Sequence, residues 1–138
     1  MAEFAADFVL GEDVLPEISR ILVVEYTGTI AIGDFLEVNG VDTTDNVLKV
    51  NKQAGTDDAI GVAMFAGVSG DRQPCLIYGV VKVTFGANVT VGAKLSVSGN
   101  KAIDQAIAGN GLANGIIISD GAADLDTGLI LFSGVGNG

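Results

Sequence analysis

The sequence predicts an all-β fold: a small β-barrel-like domain with an extended N-terminal arm and at most one short helix. Three observations carry that expectation. First, the chain states one phrase twice: residues 29–40 read T-I-A-I-G-D-F-L-E-V-N-G and residues 88–99 read N-V-T-V-G-A-K-L-S-V-S-G. Ile30 answers Val89, Ile32 answers Val91, Gly33 answers Gly92, Leu36 answers Leu95, Val38 answers Val97 and Gly40 answers Gly99. Side chains alternate across a strand, so an alternating apolar run broken by Gly and then resumed is a strand, a tight bend and a second strand. Second, the hydrophobic residues, 49% of the chain, come in short strand-length packets. Third, turn signals separate those packets at close spacing, as in a barrel or sandwich.

In chain order, residues 1–19 stand apart. Glu3, Asp7, Glu12, Asp13 and Glu17 alternate with Phe4, Phe8, Val9, Leu10, Val14 and Leu15, and Pro16 interrupts any helix. This reads as an arm that needs a surface to lie on, its own sheet or a neighbouring molecule. Residues 20–138 form the single barrel-like domain. R-I-L-V-V-E-Y-T, beginning at Arg20, is rich in β-branched residues, F-L-E-V-N-G-V carries an Asn-Gly turn signal and V-L-K-V-N alternates, which predicts consecutive antiparallel strands. D-D-A-I-G-V-A-M-F-A-G is a buried run, S-G-D-R-Q-P a turn, and C-L-I-Y-G-V-V-K-V-T-F a long strand in which Gly79 marks a bulge or bend. After the second phrase, S-G-N-K is a turn and I-D-Q-A-I-A, residues 103–108, is the best short-helix candidate. G-N-G-L-A-N-G is expected as a loop, N-G-I-I-I-S as a strand, D-G-A-A-D-L-D-T-G as a turn region and L-I-L-F-S-G-V as the closing strand. The two halves run in parallel beyond the phrase, since A-I-G-V-A after the first copy resembles N-G-I-I-I after the second.

At 138 residues the chain has one domain's length, and no stretch approaches the roughly 20 apolar residues that span a bilayer as a helix. Glu3 and Asp7 occupy the place where a secretory signal would be basic, so no export signal is expected. Seventeen acidic residues against seven basic give a formal charge of −10, which disfavours nucleic acid and anionic membranes as partners. The same charge favours solubility and suits a basic partner surface, although a merely solvated acidic exterior is the commoner explanation. The single cysteine, Cys75, sits in the apolar run P-C-L-I-Y-G and reads as a buried thiol.

There is no histidine, so the commonest general base and transition-metal ligand is missing. No catalytic residue, metal site or cofactor is expected. Asp57 and Asp58 are neighbours in a turn, badly placed to share a proton. Asp120, Asp124 and Asp126 could face a hard cation but lack the EF-hand spacing. G-N-G-L-A-N-G has the wrong glycine spacing for a phosphate cradle, and Asn88-Val89-Thr90 matches a glycosylation pattern that means little without export. No Trp and only Tyr26 and Tyr78 speak against an aromatic carbohydrate platform.

From about Glu25 to Phe132 the chain resembles the capsid decoration, or cement, proteins of tailed bacteriophages. The residues that carry the resemblance are G-D-F-L-E-V at Gly33 to Val38, A-I-G-V-A at Ala59 to Ala63, Y-G-V-V-K-V at Tyr78 to Val83, V-G-A-K-L at Val91 to Leu95 and the late N-G-I-I-I. The resemblance implies a β-tulip-type barrel that forms a homotrimer on the outer capsid surface at local threefold positions. It implies the viral major capsid protein as partner, synthesis in the host cytoplasm, and shell stabilisation with no enzymatic role. A tail or fibre β-domain is the alternative. The extended arm of such proteins places Phe4, Phe8, Val9 and Leu10 as candidate capsid or subunit contacts.

Overall fold

The computed structural model describes residues 8–54, 58–86, 89–104, 111–121 and 123–135. A single 3-10 turn, Pro16–Ile18, precedes nine strands: β1 Arg20–Tyr26, β2 Phe35–Asp42, β3 Val47–Lys52, β4 Gly61–Ala63, β5 Arg72–Thr84, β6 Lys94–Ser98, β7 Lys101–Asp104, β8 Gly111–Ile117 and β9 Thr127–Val135. They make one sheet in the order β1-β3-β2-β4-β5-β9-β8-β6-β7. The all-β expectation is met.

The sheet curls twice. β1 pairs in parallel with β3 and antiparallel with β5, so β1-β3-β2-β4-β5 closes into a small ring. The strands β5-β9-β8-β6-β7 curl the same way, and Phe85, just past β5, bridges Ala102 of β7. β5 belongs to both rings, which is why it needs 13 residues where the other strands have three to nine. Val24, Tyr26, Leu36, Val50, Ala63 and Cys75 fill the first ring. Val81, Val83, Phe85, Leu95, Val97, Ile117, Ile130 and Phe132 fill the second. Gly79 lies between the residues β5 gives to each; the bulge in β5 falls two residues earlier, where Ile77 is the extra residue between Ile21↔Leu76 and Arg20↔Tyr78.

Around the bends the pairing of one half recurs in the other. Phe35↔Val62 in the first half corresponds to Lys94↔Ile116 in the second, and Ala63↔Cys75 to Ile117↔Ile130. Ile30 bridges Gly67 as Val89 bridges Gly121. At the bends the Gly33 N–H donates to the Ala63 carbonyl at 2.8 Å and the Gly92 N–H to the Ile117 carbonyl at 2.8 Å. Both glycines lie in the left-handed region, φ +85° and +87°. In each repeated phrase a bridge, a bend and a strand follow in that order.

Four expectations give way. The strand from Arg20, expected to run antiparallel with the two that follow, pairs instead in parallel with β3 and antiparallel with β5. Asn39-Gly40 is not a hairpin turn: pairing passes from Val38↔Val50 to Val41↔Leu48, so β2 holds one extra residue, and Gly40 at φ +98° serves the bulge. The reversal comes at 43–46, where Asp42 Oδ1 accepts the Thr44 N–H at 3.0 Å and Asn46 takes φ +56°. The short helix also yields, since Ile103 and Asp104 end β7 opposite Ser96 and Leu95. Residues 105–108 lie outside the described residues. Finally, Gly111 to Gly115 of the expected loop belong to β8. Pairing with β9 overrides the weak strand propensity of Gly and Asn, and a Cβ at Gly115 would collide with the Leu131 carbonyl.

Candidate functional site

Residues 8–14 lie along β5 of their own fold. Lys82 Nζ donates to the Phe8 carbonyl at 2.8 Å, the Gly11 N–H donates to the Lys82 carbonyl at 2.8 Å, and the Val14 N–H donates to the Val80 carbonyl at 2.9 Å. Leu10 crosses the first bend, 3.0 Å from where a Cβ on Gly33 would sit. Glycine at 33 therefore does two things: it accepts the left-handed turn and leaves room for the arm. Of the four arm residues singled out from sequence, Leu10 and Phe8 are half-buried on the home sheet and Val9 is 64% exposed. Phe4 lies outside the described residues.

Between the arm, the first bend and the β4–β5 connection lies a groove of about 240 Å³, lined by Val9, Leu10, Ile32, Met64 and Phe65 with Glu12 and Asp13 beside them. Phe65 is 50% exposed. An apolar floor with carboxylates alongside suits an aliphatic or aromatic side chain flanked by basic groups.

A second apolar surface escaped the sequence reading. R-I-L-V-V-E-Y-T forms β1, expected as one of several consecutive antiparallel strands, yet only its end pairs on both sides. β3 meets β1 at Glu25 and Tyr26, so among the described residues nothing pairs with the outer edge of Arg20 to Val24. Val23 is 56% exposed and Ile21 51%. Such an edge is a template for another strand. Composition could not reveal this, because apolar residues occur in both parts of β1, Val23 exposed and Val24 buried.

The polar groups singled out for possible chemistry hold turns and strand ends together. Asp120 Oδ1 accepts the Val91 N–H at 2.8 Å, Asp124 pairs with Lys101 Nζ at 2.8 Å, and Asp126 Oδ2 accepts the Ala123 N–H at 3.0 Å. Among the described residues no three His, Cys, Asp or Glu side chains gather as a metal site. Asp58 is exposed, while Asp57 and Asn88 lie outside the described residues. Cys75 is buried, and that burial pushes its thiol up to about 12. Tyr26 is also pushed to about 12, by burial first and by neighbouring Cys75 second, and its hydroxyl donates to the Phe65 carbonyl at 2.6 Å. Arg72 binds Asp45 at 2.6 Å, Asp42 at 3.2 Å and Glu25 at 3.3 Å, tying β5 to β1 and to the β2–β3 hairpin. The Thr44 N–H, followed by lesser causes including Arg72, holds Asp42 below the usual carboxylate range.

A buried polar knot joins the halves. Asn100, in the β6–β7 turn, donates from Nδ2 to Asp34 Oδ1 at 2.8 Å and accepts the Phe35 N–H at 2.7 Å, while its own N–H donates to Gln53 Oε1 at 2.7 Å. Close by, Glu37 Oε1 accepts the Ala54 N–H at 2.9 Å. These groups are satisfied by one another, as buried polar groups must be. Their work is structural.

No family model matches the chain, and no curated protein does. Among solved structures the fold is similar to the N base of the head fiber gp8.5 of bacteriophage phi29, with a TM-score of 0.62 and 13% identity over 87% of this chain and 98% of that one. At that identity the likeness is one of fold: this double-ring scaffold is also the scaffold of a phage head-fiber base.

Proposed function

We propose that the chain is a structural protein of a phage virion that decorates the outer surface of the expanded head, as a homotrimer at local threefold positions, and stabilises the shell by binding the major capsid protein. The observation that carries this reading is the fold it shares with a head-fiber base. The reading is supported by surfaces fit for docking, the groove beside the arm and the open edge of β1. A cement protein stabilises a shell by binding the expanded lattice better than the precursor, and a trimer multiplies modest contacts through avidity. The neighbour's description as a fiber base favours a second reading, in which the domain anchors a fibre to the head.

Light scattering and co-sedimentation with expanded heads test the proposal. A trimer that sediments with expanded heads is the expected result; a monomer at high concentration that leaves the heads bare rejects it. Deleting residues 1–15 should weaken attachment while far-ultraviolet dichroism still shows a folded β protein. Attachment of the truncated chain at full strength would remove Phe4, Phe8, Val9 and Leu10 from the contact.

A further inference from the structure

The internal repeat builds two bends with the same backbone hydrogen bonds, and among the described residues only the first is covered. Over the first bend lies its own arm, with Leu10 against Gly33 and the arm bonded to β5. Over the second bend no heavy atom of a described residue lies within 4 Å of the Cβ position of Gly92, and Val91 is 46% exposed. The floors correspond, Val91 standing for Ile32 and half-buried Ile118 for Met64. We propose that the second bend is an open docking seat for an extended segment of a basic partner protein, one that lays an aliphatic side chain across Gly92 as Leu10 lies across Gly33.

The occupied seat shows what shape fits, an aliphatic residue followed by one small enough to hug the sheet, as in Leu10-Gly11. Charge decides whose segment it is. Carboxylates of Asp104 and Asp120 accept the Thr90 and Val91 N–H groups at 3.3 and 2.8 Å, so the seat carries two acids against nearby Lys94. The arm of a second copy would bring Glu12 and Asp13 to that place from a chain of charge −10. Like charges oppose that pairing, while a segment with Lys or Arg beside its aliphatic residue is drawn in. The seat rests on the repeat; identifying its occupant as a shell-subunit segment rests on the virion reading above.

The probe is a peptide of residues 8–15 carrying Glu12→Lys and Asp13→Lys, titrated against the full chain with amide shifts recorded. Saturable binding with shifts at Val91, Gly92 and Ile118 is expected. In the Val91→Lys protein, affinity should fall roughly tenfold or more as apolar contact is lost and like charge added. The Val41→Lys protein, altered at an equally exposed valine of β2, should bind as wild type does. No saturable binding, or binding indifferent to Val91→Lys, overturns the seat. Equal binding of the unsubstituted acidic peptide overturns the basic partner in favour of a second copy. On heads, wild type and Val91→Lys attaching equally would reject the seat and leave the virion role standing. Peptide binding at Val91 with no attachment of wild type to heads would do the reverse.

Discussion

Asn100 carries more of the structure than its place in a surface turn implies. At φ +65° it adopts a backbone that Asn and Gly tolerate, and its amide bridges Asp34 and the Phe35 N–H across the two halves. Asn100→Gly keeps the backbone and removes both side-chain bonds, so urea titration should show a loss of about 2 kcal/mol. Asn100→Ala should lose about 1 kcal/mol more, from left-handed strain. The two bend glycines separate in the same way. Gly92→Ala should cost about 1 to 2 kcal/mol from φ alone. Gly33→Ala should cost more because its new methyl meets Leu10 at 3.0 Å, and hydrogen exchange should show the Gly11 and Val14 amides losing protection. Equal costs at the two glycines would mean that the arm does not rest on the first bend. The glycines were legible in sequence because spacing repeats them. Asn100 was not, since its partners lie 47 to 66 residues away.

Strands were legible where alternation and β-branching agree, as in β3 and β5, and illegible where pairing overrules composition. β8 is the clearest case: its glycines and asparagine read as loop until β9 supplies the ladder. The repeat also hides an asymmetry. The row Phe35, Val62, Leu76 is fully buried in the core shared with the second half, whereas in the corresponding row Lys94 and Ile116 are exposed, Ile116 by 45%, and Leu131 is half-buried. Lys94 stands where the repeat has Phe35, and a charge there discourages the next unit from stacking, as polar caps do in repeat proteins. Lys94→Phe should therefore produce species whose sedimentation coefficient rises with concentration. A variant that sediments like wild type at every concentration would refute this role for Lys94.

At the scale of the whole molecule, stability against alkali follows from two buried acids. Tyr26 and Cys75 move from ordinary values of 10.0 and 9.0 up to about 12 in the folded state, so the fold favours their neutral forms. That contribution is complete below the unfolded values and disappears as pH rises toward 12. Thermal melts from pH 8 to 12 should show a falling midpoint above about pH 9, and Tyr26→Phe should flatten the part of the decline beyond pH 10. An unchanged decline in that variant would place the alkaline sensitivity elsewhere. Charge and the lack of histidine could be read from composition alone, but the route of the arm could not, because its apolar residues suit the home sheet and a foreign one equally well.

β5 has one further consequence. Because a single strand serves as wall to both rings, neither half can open while leaving the other a finished enclosure. Loss of order at Gly79 would propagate in both directions, so the molecule should melt in one step, with probes such as Tyr26 and Tyr78 reporting the same midpoint as total β signal.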